Sequence, residues 1–210
     1  LLTEYMKLYA YQYPNLTFVL KDNRGLKQQN TLHYANGLQD WLDMLNESKY
    51  NGNSPLWEVE HECTINNCRI KICFYIAGNA RYHSPDDFIY AEDDVILSED
   101  RTIKPAVIKA MDQSMLEFSD KNRLELQFGE SHLDYLTDFA ASIYGRDIMF
   151  GGSFRTYLDM PELKEELTRH MQSYFDELFS SDERYIEILN KIGFKTENSL
   201  FLDTAFLFDE

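Results

Sequence analysis

His33-Tyr34-Ala35-Asn36-Gly37-Leu38-Gln39-Asp40-Trp41-Leu42-Asp43-Met44-Leu45-Asn46 puts four large apolar side chains on one helical face. Leu38, Trp41, Leu42 and Leu45 follow the spacing of a single stripe, and Asn36 stands where an N-cap belongs. Upstream, Leu2, Tyr5, Met6, Tyr9 and Tyr13 fall near helical spacing over 1–13, and Pro14-Asn15 stops that helix. Leu16 to Leu20 (LTFVL) reads as a strand, and Thr31 to Tyr34 as its short return. Gly25 and the polar run Lys27 to Asn30 supply the hairpin loop between them.

Downstream, Asn51 to Pro55 is a loop by composition. Trp57 to Thr64 and Arg69 to Ala77 alternate as two strands joined at Asn66-Asn67. Residues 78–101 are loop-rich and acidic, with short strands predicted near Phe88 to Ala91 and Val95 to Leu97. Thr102 or Ser98 can cap a helix through Lys104 to Phe118, its inner face made of Val107, Ile108, Met111, Met115 and Leu116. Leu136 to Tyr144 is the next strand, followed by a glycine- and aromatic-rich loop to Leu158. Asp159 is the expected cap of a helix whose buried stripe reads Leu163, Leu167, Met171, Tyr174 and Leu178. A last helix, capped at Ser181 or Asp182, buries Tyr185, Ile188, Leu189 and Ile192 and stops at Gly193. With no internal repeat or low-complexity linker, the pattern implies one α+β domain with a mixed sheet.

Composition limits the function classes. The 210 residues carry 20 Lys plus Arg against 36 Asp plus Glu, a formal charge of −16. That balance argues against a self-sufficient nucleic-acid binder, whose phosphate contacts come mostly from cations. No apolar run approaches the roughly 20 residues of a membrane span. The chain opens on Leu1 inside a helical pattern, which reads as a piece of a longer polypeptide. Cys63, Cys68 and Cys73 recur every five residues, and their odd number fits a reducing cytoplasm. With His61 they are conceivable zinc ligands. The expected reading is reduced cysteines packed in strands, because this spacing points successive side chains to opposite faces.

Signatures of catalysis are sparse. Walker loop, paired CxxC, HExxH and GxSxG are all missing from the sequence. Asp86-Asp87 and Glu92-Asp93-Asp94 offer carboxylates to a divalent cation, or simply a solvated surface. His33, His83, His132 and His170 have no nucleophile at a recognisable spacing and read as surface or packing residues. Phe150-Gly151-Gly152-Ser153-Phe154-Arg155 is the exception: two glycines permit close backbone approach, Ser153 offers a hydroxyl and Arg155 a cation. A phosphate suits that set, and so does a plain glycine turn.

The stretch from His33 to Asn46 resembles the HYxxG(I/L)xx(F/W)(V/L)xxLN segment of the ATPase half of bacterial type II topoisomerases, the B subunits of DNA gyrase and topoisomerase IV. Leu8 to Arg24 is similar to that family's helix, turn and strand ending in a DxR element, here Asp22-Asn23-Arg24. Asp93-Asp94 lie where the family has Asn-Asn, and Glu99 to Ile103 in the place of its EGGTH. Phe150 to Leu158 (FGGSFRTYL) resembles its FxxQTKxxL loop, and Pro161 to Ile192 its two following helices.

The resemblance implies a transducer domain over 1–192, with a ribosomal protein S5 domain 2-like fold, followed by a C-terminal extension over 193–210. It implies a preceding GHKL-type ATPase domain that holds most of the ATP and Mg2+, a homodimeric clamp, and DNA inside it. Arg155 takes the role of the QTK lysine, reaching the γ-phosphate, and Ser153 that of the glutamine. Gly151, Gly152 and Thr102 complete the implied nucleotide-facing set. A clamp of this net charge would carry its acidic residues on the outer face, with Lys104, Lys109 and Arg101 turned toward DNA. The motifs are altered: Ser153 and Phe154 replace Gln and Thr, and Asp100, Arg101 and Ile103 replace the glycines and histidine of EGGTH. These changes and the charge of −16 also suit a non-catalytic acidic module, a gyrase regulator or DNA mimic.

Overall fold

The structure is a computed structural model that describes residues 2–24, 28–50, 55–77, 86–92, 94–96 and 100–195. Gly25, Lys27, residues 51–54, His83, Asp93, Leu97, Ser98, Glu99 and the tail beyond 195 lie outside the described residues.

A hairpin forms one side of the main sheet. Asn66 and Asn67 adopt φ of 50° and 61°. That left-handed pair matches the twist of flanking strands, and asparagine tolerates it better than most residues. It joins β3 (Trp57–Ile65) to β4 (Cys68–Ile76), paired from Trp57↔Ile76 to Ile65↔Cys68. Strand β8 (Thr137–Gly145) lies antiparallel on the far side of β4, and β5 (Asp87–Ala91) runs parallel to β8. With β6 (Asp94–Ile96) at the edge, the mixed sheet has the order β3-β4-β8-β5-β6. Parallel neighbours need a long crossover, and here it contains α3 (Ile103–Lys121), β7 (Leu126–Gln127) and α4 (Glu130–Leu136).

Both faces of the sheet are covered, so β4 is apolar on both sides. Ile70, Ile72, Phe74 and Ile76 face the core shared with α3 and α5 (Pro161–Ser181). Cys73 and Tyr75 face the opposite cluster, made with Tyr11 of α1 (Leu2–Gln12) and Leu38, Trp41, Leu42 and Leu45 of α2 (Leu38–Tyr50). The predicted α2 stripe is therefore the one buried, and Trp41 stacks on Phe88 of β5 at 4.8 Å. Its N-terminus differs from expectation. Asp40 reaches back to accept from the Asn36 N–H and side-chain amide, both at 2.9 Å, so Asn36 is a donor here. The predicted N-terminal hairpin is present as β1 (Phe18–Asp22) and β2 (Gln28–Leu32), but Gln28 to Asn30, expected in the loop, pair as strand, and the return ends at Leu32.

On the other layer, α5 buries Leu163, Leu167, Met171, Phe175 and Phe179; Tyr174 and Leu178 flank the stripe half-buried. A strict four-residue step advances 400° per pair, so the buried line drifts around the helix and brings Phe175 and Phe179 onto Trp57. Asp159 does not cap α5, which starts at Met160-Pro161 with proline in its first turn. Helix α6 (Arg184–Ile192) has Asp182 accepting the Arg184 N–H at 2.8 Å and ends at Gly193. Strand β11 (Phe194–Lys195) then pairs with β7. Helix α4 and the two-residue strands were absent from the sequence reading. The architecture is α+β, a mixed sheet between helical layers. No helix among the described residues is long and apolar enough to cross a membrane.

Candidate functional site

The FGGSFRTYL segment folds as a short hairpin. Phe150–Gly151 (β9) pairs with Tyr157–Leu158 (β10), and Gly152 to Thr156 form the tip. The Thr156 N–H donates to Gly151 O at 3.1 Å and the Arg155 N–H to Gly152 O at 3.3 Å. Each glycine has a separate reason. A Cβ on Gly151 would overlap the Tyr157 ring, which lies against it, and Gly152 has φ +79°. Arg155 also takes a left-handed conformation, at φ +53°. A non-glycine residue there is uncommon and marks a tightly specified turn.

Residues 152–155 are exposed, and Phe154 is 89% accessible. The Arg155 guanidinium carbon lies 3.8 Å from the centre of the Phe150 ring. The cation thus rests on an aromatic face within its own hairpin, on an exposed tip. Ser153 is exposed beside it.

Two contacts fix the base of this hairpin to the start of α3, and a third closes the base itself. Thr102 is buried, and its hydroxyl donates to Leu158 O at 3.1 Å. The Arg101 guanidinium lies over the Tyr157 ring at 4.1 Å, and the Asp159 N–H donates to Met149 O. Thr102 makes no side-chain cap of α3. Asp100 does: its carboxylate accepts the N–H groups of Thr102 at 2.9 Å, Ile103 at 3.2 Å and Lys104 at 2.5 Å. Burial pushes the Asp100 carboxyl up, and these three N–H groups pull it back down. The helix end that ordinarily attracts an anion already carries one.

Lys104 was expected to face DNA. Instead its side chain is 6% exposed, and its ammonium meets Asp87 at 2.7 Å and Asp134 at 2.9 Å. Asp87, from the predicted acidic run, is held in this pair; burial pushes its carboxyl up and Lys104 opposes the shift. Glu92, at φ 57°, turns β5 into β6. Lys109 is exposed on α3.

The cysteines divide only in part as their spacing predicted: Cys68 and Cys73 on β4 point to opposite faces, but the Asn66-Asn67 turn returns Cys63 and Cys68 to the same one. Cys68 joins the core toward α3 and α5, and Cys73 the opposite cluster, where burial pushes its thiol up to about 12. All three are free thiols. His33 donates from Nδ1 to Leu16 O, and His132 from Nε2 to Ile192 O. His170 departs from expectation, because its Nε2 lies 2.9 Å from that of His61. The sequence reading also missed Asp100 as the cap and Phe150 and Tyr157 as seats for the two arginines. An Asp two residues ahead of Thr102 was the available signal for the first.

No protein-family model and no curated protein matches the chain. Solved structures do. The B subunit of DNA gyrase from Myxococcus xanthus superposes with a TM-score of 0.70 at 18% identity, over 90% of this chain and 59% of that one. The 43K ATPase domain of Thermus thermophilus gyrase B, in complex with an aminocoumarin, gives 0.69 at 15%, over 98% and 55%. The topoisomerase IV ATP-binding domain of Francisella tularensis, bound to a small-molecule inhibitor, gives 0.70 at 12%, over 91% and 51%. The chain thus spans between half and three-fifths of each of these structures. In fold it is a gyrase B-like domain, of the architecture seen in the gyrase B and topoisomerase IV structures.

Proposed function

We propose that residues 1–192 are the transducer unit of an ATP-operated DNA clamp of the type II topoisomerase kind, with 193–210 as its C-terminal extension. ATP and Mg2+ are held mainly by a GHKL-type domain on the N-terminal side, in a cytoplasmic homodimer that closes around DNA. Arg155 contacts the γ-phosphate across the domain boundary. Gly151 and Gly152 shape the tip that carries it, Ser153 lies beside it, and Thr102 positions the hairpin. A cation on such a tip gains its contact only while the terminal phosphate is present, so the nucleotide biases a two-state hinge between domains.

The observation carrying this reading is the exposed hairpin tip, residues 152–155, that presents Arg155, the residue to which the sequence resemblance gives the role of the QTK lysine. The test joins the chain to its natural N-terminal neighbour and compares ATP turnover with Arg155→Ala. Loss of the phosphate contact should cost about 2–4 kcal/mol of transition-state stabilisation, roughly 30- to 900-fold in rate. An unchanged rate removes Arg155 from the mechanism.

A second reading has its own support. The charge of −16, the carboxylate filling the N-terminus of α3 and the internal pairing of Lys104 all suit an acidic interaction module. Native gel shifts with DNA and with purified gyrase discriminate the two. Binding to gyrase without any effect of nucleotide favours the module.

A further inference from the structure

On β3 the odd-numbered residues face α5: Trp57 and Val59 are in the core, and Cys63 and Ile65 pack against it. His61 shares that face by the two-residue period of the strand. Opposite it, His170 and Tyr174 flank the buried stripe of α5, one turn apart. The Nε2 atoms of His61 and His170 are 2.9 Å apart, and one ligand atom from each of His61, Cys63 and His170 lies within 4.8 Å of the others. The Tyr174 ring packs on His61 with centroids 4.3 Å apart and limits the freedom of that imidazole.

We propose that His61, Cys63 and His170 form a zinc site that ties α5 to the outer strand of the sheet. Two imidazoles and a thiolate are the donor set that zinc favours. Tetrahedral bonds of about 2.0–2.1 Å to nitrogen and 2.3 Å to sulfur put donor atoms roughly 3.3–3.6 Å apart. The observed separations bracket that range, so side-chain rotation of about an ångström closes the site without moving the backbone. Two imidazole nitrogens facing each other share at most one proton, whereas a cation takes both lone pairs. Binding displaces that shared proton to the Nδ1 side of its ring and releases the Cys63 thiol proton to solvent. His170 is exposed, which gives the ion an entry path. These are the three donors of the cluster among the described residues, so the fourth position falls to water or to a group from a neighbouring unit. The acidic net charge of the chain favours cation entry.

The test uses the whole chain, stripped with a chelator and titrated with Zn2+ and with Co2+. The expected result is one equivalent of metal, a tetrahedral cobalt spectrum with a thiolate-to-cobalt charge-transfer band, and a melting temperature raised by zinc and restored by chelator. His170→Gln changes an exposed side chain and should leave the apo fold intact. It should weaken binding by at least the roughly 10- to 100-fold seen on losing an outer-shell partner. Cys63→Ser should abolish the charge-transfer band, and His33→Gln should change nothing. Absence of stoichiometric binding, a cobalt spectrum without thiolate character, or equal affinity in His170→Gln would each overturn the site.

Discussion

Replacing Lys104 by methionine should destabilise the domain at neutral pH and much less in acid. The ammonium bridges Asp87 at the start of β5 and Asp134 on α4, and it projects from the first turn of α3. Methionine preserves most of the aliphatic stem and removes only the charge. Breaking a fully buried ion pair costs about 3–5 kcal/mol. Here the two carboxylates remain 44% and 56% exposed, so water compensates part of the loss and the expected cost falls to about 2–3 kcal/mol. The sign with pH follows from Asp87. Its folded carboxyl is raised by burial, so as pH falls it takes up a proton before an unfolded aspartate does. Once it is neutral that pair is gone in the parent protein too, and Lys104 keeps only its pair with Asp134. The gap between parent and Lys104→Met should therefore narrow as pH falls through the raised Asp87 range. Urea titrations followed by tryptophan fluorescence suit the measurement, since Trp41 and Trp57 are both buried reporters. Equal stability at pH 7, or a gap of the same size in acid, would refute the reasoning.

Asp100→Ala orphans three N–H groups at the start of α3 and should cost about 1–2 kcal/mol, lowering the melting temperature by roughly 2–8 °C; an unchanged melt rejects the cap. His132 is held below the ordinary histidine range by burial, with its hydrogen bond to Ile192 opposing, so the unfolded chain binds its proton first. Stability is then lost as pH falls below about 6.5. His132→Gln keeps a donor for that carbonyl and should flatten the decline between pH 7 and 5, leaving the part due to His61, which burial also depresses. Phe150→Leu removes the resting place of Arg155, and in the assembled ATPase it should change turnover by no more than about fivefold, the worth of an exposed cation–π contact. A loss as large as that of Arg155→Ala would show that the aromatic face, not a phosphate, is the working partner.

What could be read from the sequence depended on how one-sided each element is. Helix α2 packs one face on the sheet, so its stripe at Leu38, Trp41, Leu42 and Leu45 was plain. The Asn66-Asn67 turn was equally plain, since it needs a residue type that tolerates positive φ. Helix α5 carries aromatics at both 174 and 175. Which one is buried depends on Trp57, more than a hundred residues away in the chain. Helix α4 has seven residues, too few for a period to show. At the site, the exposed glycine turn and Arg155 were legible. The Asp100 cap, the burial of Lys104 and the meeting of His61 with His170 come from tertiary packing, which local spacing does not encode.

The placement of the charges says how this face can meet an anion. At the N-terminus of α3, three N–H groups would suit a phosphate, but the Asp100 carboxylate holds all three. A phosphate arriving there would have to displace a covalently tethered anion and then remain beside it. Lys104 offers no help, because two carboxylates already surround its ammonium. The hairpin tip is different. Arg155 sits on Phe150, a contact worth about 0.5–1 kcal/mol at an exposed position, while each hydrogen bond to an ionised group contributes about 1.5–3 kcal/mol. In the proposed clamp, phosphate oxygens would offer the guanidinium hydrogen bonds that are individually stronger than this aromatic contact. The aromatic seat holds the side chain against its own hairpin, and the left-handed backbone at Arg155 marks a tightly specified turn. On the proposed reading, the hairpin tip and not the N-terminus of α3 is the element that answers to an anion.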